Sequence, residues 1–302
     1  MNTPQQAGRG HPALQLGLHT GPGLPTASGG VRVAVLGPLV ITGAACCLQP
    51  RQAELLVALA LAGTAGLSNE ALRAVLGEDP DHPKPPDSVR QVITRTRRRL
   101  GIAPCGGEYI IQPTCGVQNR LAGNAQYTLA PEASLDWDEF RTLARAGRAA
   151  RDRQPLRDAL ALLRGHPFEG LYYWWLDGTL IDDVRAEIAD TAATLASLEL
   201  DAGQPGDAGR AARAGLAVDM SAEHLWRAVM RAEDAMGNTP GVHEAWRRCL
   251  DAIADVAADG QPHRDTTRLY RELTGTTRLT PRSAPARTRT TGNQTVRRGL
   301  AS

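Results

Sequence analysis

Apolar and polar positions alternate over Val31-Arg-Val-Ala-Val-Leu36, a period of two that predicts a strand, and Gly37-Pro38 stops it. Leu39-Val-Ile41 continues as a second short strand. From Arg51 to Ala62 the pattern becomes that of a strongly apolar helix, carried by Leu55, Leu56, Leu59 and their neighbours. Ser68-Asn-Glu-Ala opens another helix reaching about Leu76, with Ser68 as its cap. Residues 77–86 hold Pro80, Pro83, Pro85 and Pro86 and are expected to form a loop. In 87–100, Val89, Val92, Ile93, Thr96 and Leu100 recur at helical spacing as a buried stripe. Asp87 or Ser88 can cap that helix, and Gly101 sits where it should stop. Two strands follow, within 108–112 and 126–129, flanking a turn region near Cys115-Gly116. Strands, three helices and a hairpin, in that order, predict a winged helix-turn-helix.

From Leu135 the period is helical almost throughout, over about 136–152, 155–164, 178–202, 205–217, 221–237, 240–258 and 264–273. The starts near Thr179 and Ser221 lie about 42 residues apart, and short Gly- or Pro-bearing loops turn the helices back. Stacked hairpins of tetratricopeptide type are expected, with a plain helical bundle as the alternative. The expected fold is thus mainly α: an N-terminal α+β winged helix, then an all-α tetratricopeptide-like domain. The boundaries are 1–30 disordered (Gly, Pro, Gln and Thr without a period), 31–130 winged helix, 131–274 helical domain and 275–302 basic disordered tail.

Charge sharpens this picture. The helix at 87–100 contains five arginines and one aspartate, and the segment from Thr274 to Ser302 has six arginines and no acid. The whole chain is only +2, so the remainder is net acidic. Basic zones on an acidic body point to an anionic partner held at defined places. Only Lys84 among the 34 basic residues is lysine, which with high Ala and Gly reflects a GC-rich, actinobacterial coding habit. Part of the arginine excess therefore carries no functional meaning. The basic tail adds non-specific DNA affinity or is codon-biased disordered chain.

Outside the apolar stripe of 87–100 lie Arg90, Gln91, Thr94, Arg95, Arg97 and Arg98, the candidate DNA-reading face. Gln and Thr can read base edges, and Arg clamps phosphates or takes guanine in a fork. A solvated arginine face on an ordinary helix is the competing reading. Arg99 falls at the core boundary, where its stem can pack while the head reaches water. Arg120 can meet a phosphate from the wing or remain a solvated loop charge.

Other chemistry is sparse. The pattern shows no phosphate-binding loop, nucleophile elbow or zincin motif, so no enzyme, nucleotide, metal or cofactor is expected. Five cysteines (46, 47, 105, 115, 249) form no C-x-x-C pair and read as small buried fillers; a redox role, for which Cys105 and Cys115 could face each other across the hairpin, is the alternative. The acid pairs Asp136/Asp138 and Asp182-Asp183 are explained by capping and the helix dipole. Tyr172-Tyr-Trp-Trp175 forms either a plug between helices, the favoured reading, or a partner anchor; Trp226 and Trp246 are expected to pack the repeats. No transmembrane run or signal peptide is visible, and a cytoplasmic protein is expected.

Several segments in this order resemble the Streptomyces antibiotic regulatory protein (SARP) family, an OmpR-type winged helix followed by a bacterial transcriptional activation domain. They are Val33-Ala-Val-Leu-Gly-Pro-Leu39, Arg51-Gln-Ala-Glu-Leu-Leu56, Leu76-Gly-Glu-Asp79, Val89 to Leu100 and Leu135-Asp-Trp-Asp-Glu-Phe140. The resemblance covers roughly 31–274. The stretch Cys115-Gly-Val-Gln-Asn-Arg120 and the aromatic run at 172–175 depart from the family pattern. The resemblance implies a DNA-binding transcriptional activator, homodimeric on direct repeats of double-stranded DNA. It implies that the helical domain contacts RNA polymerase or a second subunit. An interaction scaffold with a vestigial winged helix is the alternative.

Overall fold

β1 (Arg32–Ala34) pairs on both sides. It is antiparallel to β2 (Val40–Thr42), with Val33 opposite Ile41, and parallel to β6 (Ser134–Leu135), with Val33 opposite Leu135. The computed structural model describes residues 29–77, 87–112, 126–171, 178–254 and 260–275. The expectations placed on the head up to residue 28, the proline loop from residue 78, Cys115, Arg120, the aromatic run at 172–175 and the tail from residue 276 lie outside these residues.

α1 (Pro50–Ala62) lies beneath the sheet, and its residues from Leu55 to Ala60 are all buried. α2 (Asn69–Val75) begins at Ser68, whose Oγ accepts the Ala71 N–H at 3.1 Å, the expected cap. α3 (Asp87–Leu100) follows, and then a second sheet in the order β3 (Leu67–Ser68), β5 (Gln126–Leu129), β4 (Ile110–Ile111). β4 and β5 are the predicted hairpin strands. β3 and β6 were not predicted, because two residues show no period.

The helical part comprises α4 (Asp136–Ala150), α5 (Arg153–Ala161), α6 (Gly178–Asp201), α7 (Pro205–Leu216), α8 (Glu223–Ala235), α9 (Thr239–Ile253) and α10 (Arg264–Gly275). Neighbours in sequence pack on one another: α4 on α5, then α6 on α7, α7 on α8 and α8 on α9. Small residues permit the close approach. A Cβ at Gly215 would stand 2.8 Å from the Ala192 Cβ and 2.7 Å from the Leu225 Cδ1, closer than side chains allow. Trp226 is buried with its Nε1–H donating to the Met220 carbonyl at 2.8 Å, and Trp246 stacks on Tyr270 at 4.6 Å.

Two apolar cores result. One runs from Val31 through α1, α3 and both sheets and continues through Trp137, Phe140, Phe168 and Ile188. It therefore does not stop at residue 130. The other fills the space among α6, α7, α8, α9 and α10.

Where the sheet meets the helical part, Asp136 does more than cap α4. It is buried, its Oδ1 accepts the Val35 N–H at 2.8 Å and its Oδ2 the Leu36 N–H at 3.1 Å, and Arg164 Nη2 lies 3.5 Å away. Burial pushes its carboxyl above the ordinary value, while the two N–H groups, Arg164 and Arg32 pull the other way. The α5–α6 connection completes the joint: the Arg164 N–H donates to the Leu36 carbonyl and the Phe168 N–H to the Val35 carbonyl, both at 2.7 Å. Phe168 holds φ +64, an unfavourable value for a bulky residue, in a fully buried setting. The cysteine expectation is corrected in part. Cys249 is buried, with burial pushing its thiol up to about 12, but Cys46, Cys47 and Cys105 are exposed. They sit in connecting turns whose backbone runs over the surface.

Candidate nucleic-acid interface

α3 is fixed from within by its apolar stripe. Val89, Ile93, Thr96 and Leu100 are buried and Val92 is partly so. The Thr96 hydroxyl avoids an unsatisfied buried group by donating to the Val92 carbonyl at 2.8 Å. The helix ends at Gly101, where φ is +84 and the N–H donates to the Arg97 carbonyl at 3.0 Å. Its last carbonyls are also taken up: Arg99 accepts the Cys46 N–H at 2.9 Å and Leu100 the Ala45 N–H at 3.3 Å. The β2–α1 connection thus closes the end of α3 and holds the helix against the winged-helix core.

The opposite face is open. Arg90, Gln91, Thr94, Arg95 and Arg98 are all exposed. Their positions recur within four residues of one another, so they share one side of a helix about 21 Å long at 1.5 Å per residue. Among the described residues, none of the arginines at 90, 95 and 98 has a carboxylate partner. Such a face presents guanidinium forks, one amide and one hydroxyl, groups suited to phosphate oxygens and base edges.

Arg97 is placed differently from the expectation. It is partly buried, its Nε–H donates to the Ile110 carbonyl at 2.9 Å, and Glu108 Oε2 lies 3.0 Å from the same nitrogen. At about 100° per residue it points roughly 90° round the helix from the middle of the open row, so it faces the β4 strand and braces the hairpin. Arg99 donates through Nη1 to the Cys47 carbonyl, which ties it to the β2–α1 connection. Arg120 lies outside the described residues, as does the wing turn that carries it. The side chains of Asp87 and Ser88, the expected cap, also lie outside them.

A groove of about 540 Å³ runs beside this face, between the start of α1 and the C-terminal half of α3; its walls include Arg51, Gln52, Arg95 and Arg98. Sequence reading treated Arg51 only as the start of α1. Its place beside α3 depends on the connection that closes α3, which no local pattern encodes. Among the described residues there is no cluster of three or more His, Cys, Asp or Glu that could hold a metal ion, and no helix is long and apolar enough to cross a membrane.

No family model matches the chain, and no curated protein matches it in sequence. A solved structure does match: EmbR of Mycobacterium tuberculosis, in complex with a low-affinity phosphopeptide, with a TM-score of 0.57 and 19% sequence identity. The match covers 82% of this chain but only 65% of the EmbR chain. At this identity the likeness carries the fold, and the chain is similar to EmbR in having a winged helix followed by an all-helical domain.

Proposed function

We propose that this chain is a DNA-binding transcriptional regulator of SARP type. Residues 31–130 would form the DNA-binding unit and 131–274 the activation unit. The observation that carries the reading is the two-sided α3: a buried stripe of Val89, Ile93, Thr96 and Leu100 behind an open row of Arg90, Gln91, Thr94, Arg95 and Arg98. Likeness of fold to EmbR supports it at the level of a regulator. Gln91 and Thr94 read base edges, and Arg90, Arg95 and Arg98 hold phosphates or guanine. Arg97 acts indirectly, by fixing the hairpin against α3. Arg120 contacts phosphate from the wing. Double-stranded DNA is bound by a homodimer on direct repeats, and the helical unit contacts RNA polymerase or a neighbouring subunit. The fold resemblance motivates these last assignments.

The test is selection of bound fragments from randomised duplex DNA with the full chain, followed by fluorescence anisotropy across a salt series. An enriched repeated motif and a steep salt slope are expected. Absence of duplex binding would overturn the proposal. The paired substitution of Arg95 and Arg98 by Ala is expected to flatten the slope by about 1.8, since each lost phosphate contact removes about 0.9.

A further inference from the structure

Seven side chains line the groove between α1 and α3: Gln49, Arg51, Gln52, Val92, Arg95, Arg98 and Arg99. Four are guanidiniums and none is a carboxylate. The four guanidiniums can only donate. Gln52 is 5% exposed and its Oε1 already accepts the Gln49 N–H at 2.9 Å, which leaves its amide –NH2 as the end able to meet a ligand. Arg99 is held by the Cys47 carbonyl, so its guanidinium is oriented before any ligand arrives. Gathering like charges without an acid among them is unfavourable unless an anion joins them.

Arg51 adds an independent anomaly. It sits in the first turn of α1, where the helix dipole favours acids and disfavours cations, and that turn contains no acid. Nor does an ion pair account for Arg51, which is exposed and has no carboxylate partner among the described residues. Helix stability thus gives no reason for a cation there. Its position across the groove from Arg95 and Arg98 does.

We propose that this groove seats a backbone phosphodiester of the bound duplex, with Arg51 of α1 and Arg98 of α3 closing on it from opposite walls and the Gln52 amide donating between them. The inference rests on the DNA-binding reading above and adds to it a contact from a second helix. With α3 in the major groove, a phosphate at the groove's rim would be gripped from α1 as well, which fixes the angle at which α3 enters. Phosphate contacts set position and not sequence, so this seat governs affinity for any duplex alike.

The test uses the full-length chain, a labelled duplex of mixed sequence and a duplex recovered by selection. Arg51→Ala is expected to weaken both complexes by the same factor and to lower the salt slope by about 0.9, the loss of one phosphate contact. Arg51→Lys keeps the charge and is expected to restore the slope. Gln91→Ala serves as the contrast and should relax sequence preference with the slope unchanged. Wild-type affinity and slope in Arg51→Ala, beside an altered preference in Gln91→Ala, would overturn the seat and leave the DNA-binding reading standing. Failure of the wild type to bind either duplex would overturn both. Saturable binding of inorganic phosphate that depends on Arg51, with no effect of Arg51→Ala on duplex affinity, would assign the groove to a free anion and also overturn the seat. Circular dichroism guards against misfolding, for which the exposed position of Arg51 gives little cause.

Discussion

Arginines in the two halves of this chain are grouped differently with respect to acids. In the helical half many are matched to acids. Arg153 and Arg157 converge on Glu199 at 3.0 and 2.6 Å, Arg148 pairs with Glu187, and Arg213 pairs with Glu233. On α3 and the start of α1, the arginines at 51, 90, 95 and 98 have no acid beside them among the described residues. Arginine is abundant in both halves. Exposed arginines without an acid also occur in the helical half, at 145, 231, 264 and 271 among the described residues, but those of α1 and α3 at 51, 95 and 98 line one groove. A count of arginines therefore says little, and their pairing says much.

The largest effect on stability should come from the joint between the halves. Asp136→Ala removes the acceptor of two buried N–H groups and the partner of Arg164, and is expected to cost about 3–5 kcal/mol, the range for breaking a buried pair. Chemical denaturation would read this. The pH dependence has a definite sign. The folded pKa of Asp136 is raised, so the folded chain holds this proton more tightly than the unfolded chain. Stability of the wild type relative to Asp136→Asn should therefore fall as pH rises from the unfolded value of 3.8 through the raised folded value. A rise with pH would show that the hydrogen bonds and Arg164 outweigh burial.

Glu199→Gln comes next. Glu199 is 1% exposed and shared by two arginines, each close to 40% exposed, so its loss frees cations that can still turn to water. A cost of about 1.5–3 kcal/mol is expected, as for a hydrogen bond to a charged group. Duplex binding should be unchanged. A change in salt slope would break the division between matched and unmatched arginines.

Arg97→Ala sharpens the division within α3 itself. Loss of the bond to the Ile110 carbonyl should cost about 1 kcal/mol of stability. Its effect on the salt slope should be smaller than that of Arg95→Ala, because Arg97 is matched to Glu108 and Arg95 is exposed without an acid. Equal slopes for the two variants would place Arg97 back among the phosphate contacts.

Long elements were legible in the sequence because periodicity accumulates over their length. α3 runs over 87–100 as predicted, and α6 over 178–201 against an expected 178–202. The stripe of Val89, Ile93, Thr96 and Leu100 was legible for the same reason. What escaped was set by contacts far apart in the chain. Asp136 lies 101 residues from Val35, so its local position at a helix start suggested a cap and nothing more. β3 and β6 have two residues each and exist only through their partners. Arg97 looked like its neighbours because helical spacing gives a residue's direction and not the identity of the strand it meets. Arg51 was invisible as a site residue until the connection ending at Gln49 brought α1 beside α3.

The smallest effect is expected from Glu244→Gln, and it tests what a matched arginine means. Glu244 accepts from Arg247 Nη2 at 2.8 Å and Arg248 Nε at 2.7 Å, one and the same carboxylate serving two cations on α9, as Glu199 does between helices. The two arginine hydrogen bonds hold its carboxyl below the usual range. A depressed folded pKa contributes stability above the unfolded value and loses it as pH falls through the folded one. Here, though, all three side chains are in solvent, where water and salt screen the attraction and side-chain entropy opposes it. Thermal melting of Glu244→Gln at neutral pH and moderate salt should be indistinguishable from the wild type. A loss comparable to that of Glu199→Gln would mean that pairing matters irrespective of burial. Burial is what separates the two: at Glu199 the carboxylate has no water to fall back on, whereas at Glu244 water replaces either arginine at almost no cost.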